Sequence, residues 1–123
     1  MRIVLLDYSG TLNVLEPGEA LEFVKTLQAQ GDHVVLWTGT ETRVIRGETP
    51  GLCEAVNSIR DKCFLGREFL EEFDWIDLHA TEVVVVDDDP DVGKGEAESF
   101  NLCRKGLARY LPANEWRTLV KGE

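Results

Sequence analysis

The sequence predicts an α/β fold in which a doubly wound parallel sheet of about five strands carries helices on both faces. Two continuous apolar runs, Ile3–Leu6 and Val83–Val86, have the length and branched side chains of strands that are buried on both faces. Both runs end in acidic residues, Asp7 and the triplet Asp87–Asp89. Segments typical of strands alternate with segments typical of helices, which is the order of βαβ units and therefore of parallel strands.

The first half of the chain contains two predicted strands separated by a helix. The first strand is expected at about Arg2–Leu6, and the helix begins near Pro17, since proline is favoured in the first helical turn. Apolar residues then recur at helical spacing until Gly31, which ends the helix. The second strand is expected at about His33–Trp37, and the segment Glu41–Glu48 after it is too polar to assign. The apolar residues of the first helix are Ala20, Phe23, Val24 and Leu27.

The second half of the chain is expected to add a helix, three strands, a short helix at Arg67–Phe73 between the first two of these strands, and a final helix. The helix begins at Thr49-Pro50, and a short third strand follows at Cys63–Leu65. Beyond the valine strand, an edge strand is expected at Leu107–Leu111, and Asn114 is expected to cap a C-terminal helix that runs through Val120. The apolar face of the helix after Thr49 consists of Leu52, Ala55, Val56 and Ile59. We therefore predict a Rossmann-like sheet.

The length and charge of the chain restrict its class. It has 123 residues, with 23 acidic against 13 basic residues and a net charge of −10. We expect one domain over residues 1–123, because this length is ordinary for a single hydrophobic core. The negative charge disfavours non-specific binding to nucleic acid or to an anionic membrane. The length and charge of the chain are compatible with an oligomer.

The apolar segments and the cysteines indicate a compartment. No apolar stretch approaches the ~18 residues of a membrane span, and no leader segment is visible. Cys53, Cys63 and Cys103 are widely spaced and form no Cys-x-x-Cys pair. This spacing favours reduced thiols over a structural zinc site. We therefore expect a cytoplasmic protein with no membrane partner.

Polar residues follow three of the predicted strands. Asp7 follows the first strand, Thr38 and Gly39 follow the second, and Asp87 and Asp88 end the valine strand. The carboxyl ends of parallel strands meet at one edge of a sheet, in the crevice where open α/β sheets bind ligands. Adjacent carboxylates repel by roughly 4 kcal/mol at ~4 Å and an effective dielectric of ~20, and a divalent cation such as Mg2+ would relieve this repulsion. A carboxylate can also attack phosphorus, so the set suits phosphoryl transfer.

A simpler interpretation is that these acidic residues only cap helices. Asp89 stands directly before Pro90, which is the arrangement of a helix start. Two acidic clusters at strand ends within one small chain favour a metal or catalytic site instead.

Three segments resemble sequence motifs of the haloacid dehalogenase (HAD) superfamily. Residues Asp7–Leu12, Asp-Tyr-Ser-Gly-Thr-Leu, resemble its first motif, Asp-x-Asp-Gly-Thr-Leu. Residues Val34–Gly39 resemble the second motif, an apolar strand that ends in Thr or Ser. Residues Val85–Pro90 resemble the fourth motif, in the acidic form found in small phosphatases. The three segments follow the order of the family and extend over most of the chain.

The resemblance implies a role for each strand-end residue. Asp7 is expected to be the nucleophile, which forms an aspartyl-phosphate, and also a ligand of Mg2+. The backbone carbonyl of Ser9 and the carboxylate of Asp88 are the further expected ligands, with Asp87 beside them. Thr38 is expected to bind the phosphate group of the substrate. The implied activity is a Mg2+-dependent phosphohydrolase that acts on a phosphomonoester.

The third motif of the family is a lysine that neutralises the nucleophile and the phosphate. We assign it to Lys62, because Lys62 precedes Leu65-Gly66-Arg67, which resembles the neighbourhood of that lysine in small capless phosphatases. A solvent-exposed lysine at a helix end would look the same. Arg60 and Lys94 are the alternatives.

Ser9 departs from the pattern of the family. Phosphatases of the family carry a second Asp there, which protonates the leaving oxygen and then activates water. Serine has no proton that is acidic enough at neutral pH, and loss of a general acid–base costs about 10²–10⁴-fold in rate. The alternative function is therefore a HAD-like binding or regulatory domain with little or no turnover. Dehalogenases of the family usually carry Tyr at this position, whereas Tyr8 lies one residue earlier.

The spacing of the motifs leaves no room for a cap domain. About five residues separate Thr11 from the first helix, and about twenty separate Lys62 from Val83. Small-substrate members of the family use a cap to exclude water. An open site suits a phosphorylated macromolecule, or a partner subunit that serves as the lid.

Overall fold

The computed structural model describes residues 2–61, 82–89 and 108–121. Their strands are β1 (Ile3–Leu6), β2 (His33–Thr38), β3 (Ser58–Asp61), β4 (Val83–Asp87) and β5 (Arg109–Pro112). The helices are α1 (Pro17–Ala29), α2 (Thr42–Glu48), α3 (Leu52–Ala55) and a C-terminal 3-10 helix (Ala113–Leu119). A short helical turn, Tyr8–Leu12, follows β1.

The five strands form one sheet in the order β3-β2-β1-β4-β5, and every neighbouring pair is parallel. The predicted α/β fold with a Rossmann-like, doubly wound parallel sheet is therefore confirmed. The chain builds outward from β1 through β2 to β3, and β4 then pairs with the opposite side of β1. The direction of the strand order thus reverses between β1 and β4, which is the position where open α/β sheets bind ligands.

The central strands are buried on both faces, as their continuous apolar sequences predict. Val4 and Leu6 of β1 lie in one core with the apolar residues of α1, and Val84 and Val86 of β4 lie in the same core. The alternate residues of both strands face the other way and are also buried. Helix α1, helix α3 and the 3-10 helix pack on the first of these faces, through Phe23, Val24, Leu27, Leu52 and Leu119.

The third strand differs from the prediction. Ile59 was assigned to the helix that follows Thr49, but that helix is only Leu52–Ala55 long, and Ile59 lies in β3. Asn57 separates the two elements: its N–H donates to the carbonyl of Val34, and its side-chain oxygen accepts from the N–H of Val34, both at 2.9 Å. β3 is an edge strand with a single apolar residue, so its sequence lacks the strand pattern. The predicted strand at Cys63–Leu65 and the predicted helix at Arg67–Phe73 lie outside the described residues.

The structure also describes the polar segment after β2, the C-terminal helix and the edge strand before it. The unassigned polar segment forms α2, which buries only Ile45. The C-terminal helix is a 3-10 helix that begins at Ala113, so the predicted N-cap role of Asn114 is wrong: Asn114 lies inside the helix, and the extended Pro112 precedes it. The edge strand predicted at Leu107–Leu111 is confirmed as β5, which begins at Arg109 and ends one residue later than expected, at Pro112.

Other expectations are tested only in part. Cys53 is a free, buried thiol, and burial raises its pKa, whereas Cys63 and Cys103 lie outside the described residues. The described helices include none with the length and apolar character needed to cross a membrane. Only four residues separate the turn after β1 from α1, as the capless interpretation requires at that point. The second interval of the capless interpretation, from Lys62 to Val83, lies almost entirely outside the described residues.

Candidate active site

The register of the sheet brings the predicted strand-end residues together. Leu6 pairs with Val86 of β4 and with Leu36 of β2, so Asp7 emerges level with Asp87 on the adjacent strand. The N–H of Asp7 donates to the carbonyl of Val86 at 3.0 Å and so continues the pairing by one residue. An open cleft of about 600 Å³ lies at this edge of the sheet. Its lining residues are Asp7, Ser9, Thr38, Gly39, Thr40, Asp87, Asp88 and Asp89.

Three carboxylates converge in the cleft. Asp7, Asp87 and Asp88 each offer an oxygen that lies within 4.8 Å of the other two. Asp7 and Asp87 are buried, at 5% and 1% exposure, whereas Asp88 is exposed. At this separation and an effective dielectric of ~20, ionised carboxylates repel by about 3–4 kcal/mol per pair. Two buried acidic residues and a purely oxygen donor set are the features of a site for a hard divalent cation.

The carboxylate of Asp7 is oriented by the turn that follows it. The hydroxyl of Thr11 donates to Oδ2 of Asp7 at 3.3 Å. Thr11 is itself buried, since the turn folds back over the end of β1. Sequence analysis did not assign a role to Thr11, although it belongs to the Gly-Thr pair of the first motif. The available signal was its position four residues after Asp7.

The end of β4 is fixed by two hydrogen bonds to Asp87. The N–H of Asp89 donates to Oδ1 of Asp87 at 2.9 Å, and the hydroxyl of Tyr110 on β5 donates to the backbone carbonyl of Asp87 at 3.1 Å. Sequence analysis missed Tyr110, and no pattern in the sequence pointed to it. Asp89 lines the cleft, which goes beyond the helix-capping role predicted for it. Pro90 lies outside the described residues.

Gly10 is required where Asp88 meets the turn. Gly10 has a φ of +79°, in the left-handed region that side chains rarely adopt. A Cβ built there would lie 2.6 Å from Cγ of Asp88, so the carboxylate of Asp88 packs directly on the backbone of Gly10. The N–H of Gly10 donates to the side-chain oxygen of Asn13 at 2.7 Å, which holds the turn in this shape. The glycine of the first motif thus sets the position of Asp88.

Gly10→Ala is therefore expected to destabilise the fold and to displace Asp88. The left-handed backbone should lower the free energy of unfolding of the variant by about 1 kcal/mol or more, and the exposed carboxylate of Asp88 would move away from the new methyl group. Urea unfolding measures this loss. Gly39→Ala is the matched control, since its Cβ would meet no atom within 4 Å and its φ is not positive. Equal stabilities of the two variants would contradict the left-handed backbone conformation at Gly10.

The end of β2 provides hydrogen-bond donors on the opposite side of the cleft from Asp88. The hydroxyl oxygen of the buried Thr38 accepts from the N–H of Thr40 at 3.0 Å, so its own O–H can donate into the cleft. Gly39 has open space on its Cβ side, which gives a ligand access to the backbone. These two residues lie in the cleft with the acidic cluster, as phosphate binding would require.

Tyr8 lies away from the cleft. Its side chain is fully buried, and its hydroxyl bonds the hydroxyl of Thr49 at 2.8 Å, with Oε1 of Glu48 at 3.5 Å. Burial is the main cause that raises the pKa of Tyr8. The hydroxyl therefore stays protonated and joins the turn after β1 to the corner between α2 and α3. It is not placed to act on a ligand of the acidic cluster.

Ser9 is exposed and lines the cleft beside the three carboxylates. Its backbone is extended, with φ −69° and ψ 122°, which interrupts the helical turn between Tyr8 and Gly10. Ser9 is thus the first residue after Asp7 that lines the cleft. Its hydroxyl group has no acidic proton.

The position of the predicted third-motif cation is only partly described. Lys62 and Lys94 lie outside the described residues. Arg60, the remaining alternative, is in β3 beside Trp37, and its Nη1 donates to the carbonyl of Ile59 at 2.8 Å. Arg60 lines a neighbouring concavity of about 470 Å³ that shares Thr38, Gly39 and Thr40 with the acidic cleft. A guanidinium thus lies next to the carboxyl end of β2.

Comparisons with protein-family models, with curated proteins and with solved structures found no match to this chain.

Proposed function

We propose that this protein is a Mg2+-dependent phosphohydrolase of the HAD kind, which transfers the phosphoryl group of an accessible phosphomonoester to Asp7. The observation that carries the proposal is the meeting of three carboxylates with the hydroxyl of Thr38 in one cleft, at the position where the strand order reverses. A nucleophile, a cation site and a phosphate-binding group are the parts that phosphoryl transfer needs. The resemblance of three segments to the motifs of that superfamily supports the same reaction.

The acidic cluster fits a magnesium ion by its donor set, which consists of oxygens alone. Asp7, Asp87 and Asp88 would hold the ion, together with the backbone carbonyl of Ser9. When bound, Mg2+ would neutralise the carboxylates and the negative charge of the phosphate.

The first step in this proposal is carried out by Asp7. One of its carboxylate oxygens attacks phosphorus, the bond from phosphorus to the ester oxygen breaks, and the electron pair leaves with that oxygen. The bond from Thr11 to Oδ2 keeps the carboxylate from rotating. Thr38 and Gly39 donate hydrogen bonds to the phosphoryl oxygens, which stabilises the charge that develops there. The leaving oxygen departs as an anion and then takes a proton from solvent, because Ser9 has no acidic proton.

The second step returns Asp7 to its starting state. A water molecule attacks phosphorus, the bond from phosphorus to the Asp7 oxygen breaks, and inorganic phosphate leaves with the protons of the water shared between phosphate and solvent. The family uses the second Asp of the first motif to activate this water. With Ser9 at that position, hydrolysis of the aspartyl-phosphate is expected to be slow relative to its formation on esters with good leaving groups.

The proposal is tested by hydrolysis of p-nitrophenyl phosphate with Mg2+ and with EDTA. We expect turnover with Mg2+, loss of it in EDTA and recovery when Mg2+ is restored. Asp88→Asn should raise the Mg2+ concentration for half-maximal rate by about tenfold or more, since one ligand loses its charge. Glu54→Gln is the matched control, because Glu54 is an exposed carboxylate on α3 that pairs with Arg46. Equal Mg2+ dependence of the two variants would contradict the metal site.

A second function is favoured by Ser9: a HAD-like binding or regulatory domain with little or no turnover. The same acidic cluster and Thr38 would then bind metal and phosphate without completing the reaction. In that case Mg2+ with phosphate would raise the melting temperature while no ester of a broad panel is hydrolysed. Turnover that needs both Mg2+ and Asp7 would exclude this second function.

A further inference from the structure

A second concavity opens beside the acidic cleft and shares Asp88 with it. This groove has a volume of about 660 Å³. The turn after β1 and the residues that follow it form one wall, through Gly10, Val14 and Leu15, and the 3-10 helix forms the other, through Trp116 and Arg117. Since Gly10 is the neighbour of Ser9, the groove begins where the acidic cleft ends. A ligand whose phosphate lies on Asp7 could extend into it.

Apolar and aromatic side chains form much of the groove wall, beside the polar Thr11, Asp88 and Asn114. Val14 is 70% exposed. Among the described residues, the large hydrophobic side chains that are exposed are those of Val14 and of Val44, which is 41% exposed. Trp116 is half-buried and is fixed against Phe23, with ring centroids 4.6 Å apart. The guanidinium of Arg117 lies 4.8 Å from the centre of the Trp116 ring. An exposed valine, an indole and a planar cation suit contact with a flat, apolar ligand better than with a strongly hydrated one.

Ser9 imposes a separate requirement on the leaving group. A phosphoryl transfer without a general acid expels the ester oxygen unprotonated, so it favours a leaving group that is stable as an anion. Phenols have a pKa of about 10, whereas aliphatic alcohols are about as weakly acidic as water, so an alkoxide is a far poorer leaving group than a phenolate. A site with serine at this position therefore loses much less of its phosphoryl-transfer rate on an aryl ester than on an alkyl ester.

We infer that this groove, lined by Val14, Trp116 and Arg117, holds the aromatic leaving group of an aryl phosphate whose phosphoryl group is transferred to Asp7. The inference rests on the proposed function and names its substrate class. The bond from phosphorus to the phenolic oxygen breaks as the Asp7 oxygen bonds to phosphorus, and the phenolate leaves with the electron pair. No proton donor is needed in this step. Two independent observations, the apolar groove and Ser9, lead to the same substrate class.

The test compares the binding of phenylphosphonate and methylphosphonate to the wild-type protein in Mg2+, by isothermal titration calorimetry. Neither compound can be hydrolysed, so binding is measured apart from turnover. We expect phenylphosphonate to bind about tenfold more tightly, because its ring loses contact with water in the groove. Val14→Ser should reduce this preference about threefold and leave methylphosphonate unchanged. Val44→Ser, the same change at an exposed valine on α2 outside the groove, should alter neither affinity.

The possible outcomes test the binding of the aromatic ring in the groove and the phosphohydrolase activity separately. Equal affinity for the two phosphonates, in a protein that hydrolyses p-nitrophenyl phosphate, would overturn the groove and leave the proposed function standing. A preference for phenylphosphonate that Val14→Ser reduces, without any turnover, would support the groove and contradict the hydrolase. Binding of neither phosphonate would overturn both. A preference that Val14→Ser and Val44→Ser reduce equally would place the ring elsewhere and also overturn the groove.

Discussion

Replacing Asp7 by asparagine should lower the rate of Mg2+-dependent hydrolysis by at least about 10³-fold, because the variant has no carboxylate to attack phosphorus. The amide is close in size to the carboxylate, and its oxygen can still accept the hydrogen bond from Thr11. The fold should therefore remain intact. The measurement is kcat with p-nitrophenyl phosphate, with the melting temperature in EDTA as the check on the fold.

The buried position of Asp7 in the acidic cluster separates loss of the nucleophile from loss of the fold. Asp7 is 5% exposed and offers an oxygen within 4.8 Å of two other carboxylates, so removing its charge should raise, not lower, the melting temperature in EDTA. An Asp7→Asn protein that is folded and retains a tenth or more of the wild-type rate would show that the nucleophile is another group.

Replacing Ser9 by aspartate should act in the opposite direction. Ser9 is an exposed residue of the cleft, and it stands at the acid–base position of the motif that residues Asp7–Leu12 resemble. A carboxylic acid there should raise kcat on alkyl phosphates by up to roughly 10²-fold, since an alkoxide needs a proton in order to leave. Bond cleavage in p-nitrophenyl phosphate should gain much less. A plot of the rate of bond cleavage against the pKa of the leaving group should therefore have a smaller slope in Ser9→Asp than in the wild type.

Ser9→Ala is the matched control for this substitution. If the hydroxyl of Ser9 has no part in proton transfer, Ser9→Ala should keep wild-type rates on both ester classes. Aspartate at this position adds a fourth charge to the cluster of Asp7, Asp87 and Asp88, so the melting temperature without metal should fall even as activity rises. Unchanged rates in a folded Ser9→Asp protein would mean that the acid–base group lies elsewhere.

The sheet and the assembly of the cleft were predictable because both follow from strand ends. Continuous apolar runs indicate strands that are buried on both faces. The parallel register then fixes which residues lie side by side on neighbouring strands. Leu6 opposite Val86 is sufficient to bring Asp7 next to Asp87. The same argument brings Thr38 to the cleft, since Leu6 also pairs with Leu36 of β2. These relations need only the pattern of the chain and the geometry of parallel sheets.

Features that depend on tertiary contacts were not predictable. β3 has one apolar residue, and it is fixed as a strand by the paired hydrogen bonds between Asn57 and Val34. The contact of Tyr110 with the carbonyl of Asp87 joins β5 to the end of β4, which no local pattern encodes. The groove beside the acidic cleft likewise depends on the 3-10 helix that packs near the turn after β1. The role of Lys62 stays a prediction, because it lies outside the described residues.

The most direct test of the central claim is detection of a phosphoryl group on Asp7 during turnover. The wild-type protein would be mixed with p-nitrophenyl phosphate and Mg2+, quenched in acid at a series of times, and analysed by intact-protein and peptide mass spectrometry. We predict one added phosphoryl group, located on Asp7, removed by hydroxylamine as expected of an acyl phosphate, and absent from Asp7→Asn. Complete single turnover with no phosphoryl group on Asp7 at any time, or with the group on another residue, would contradict the account.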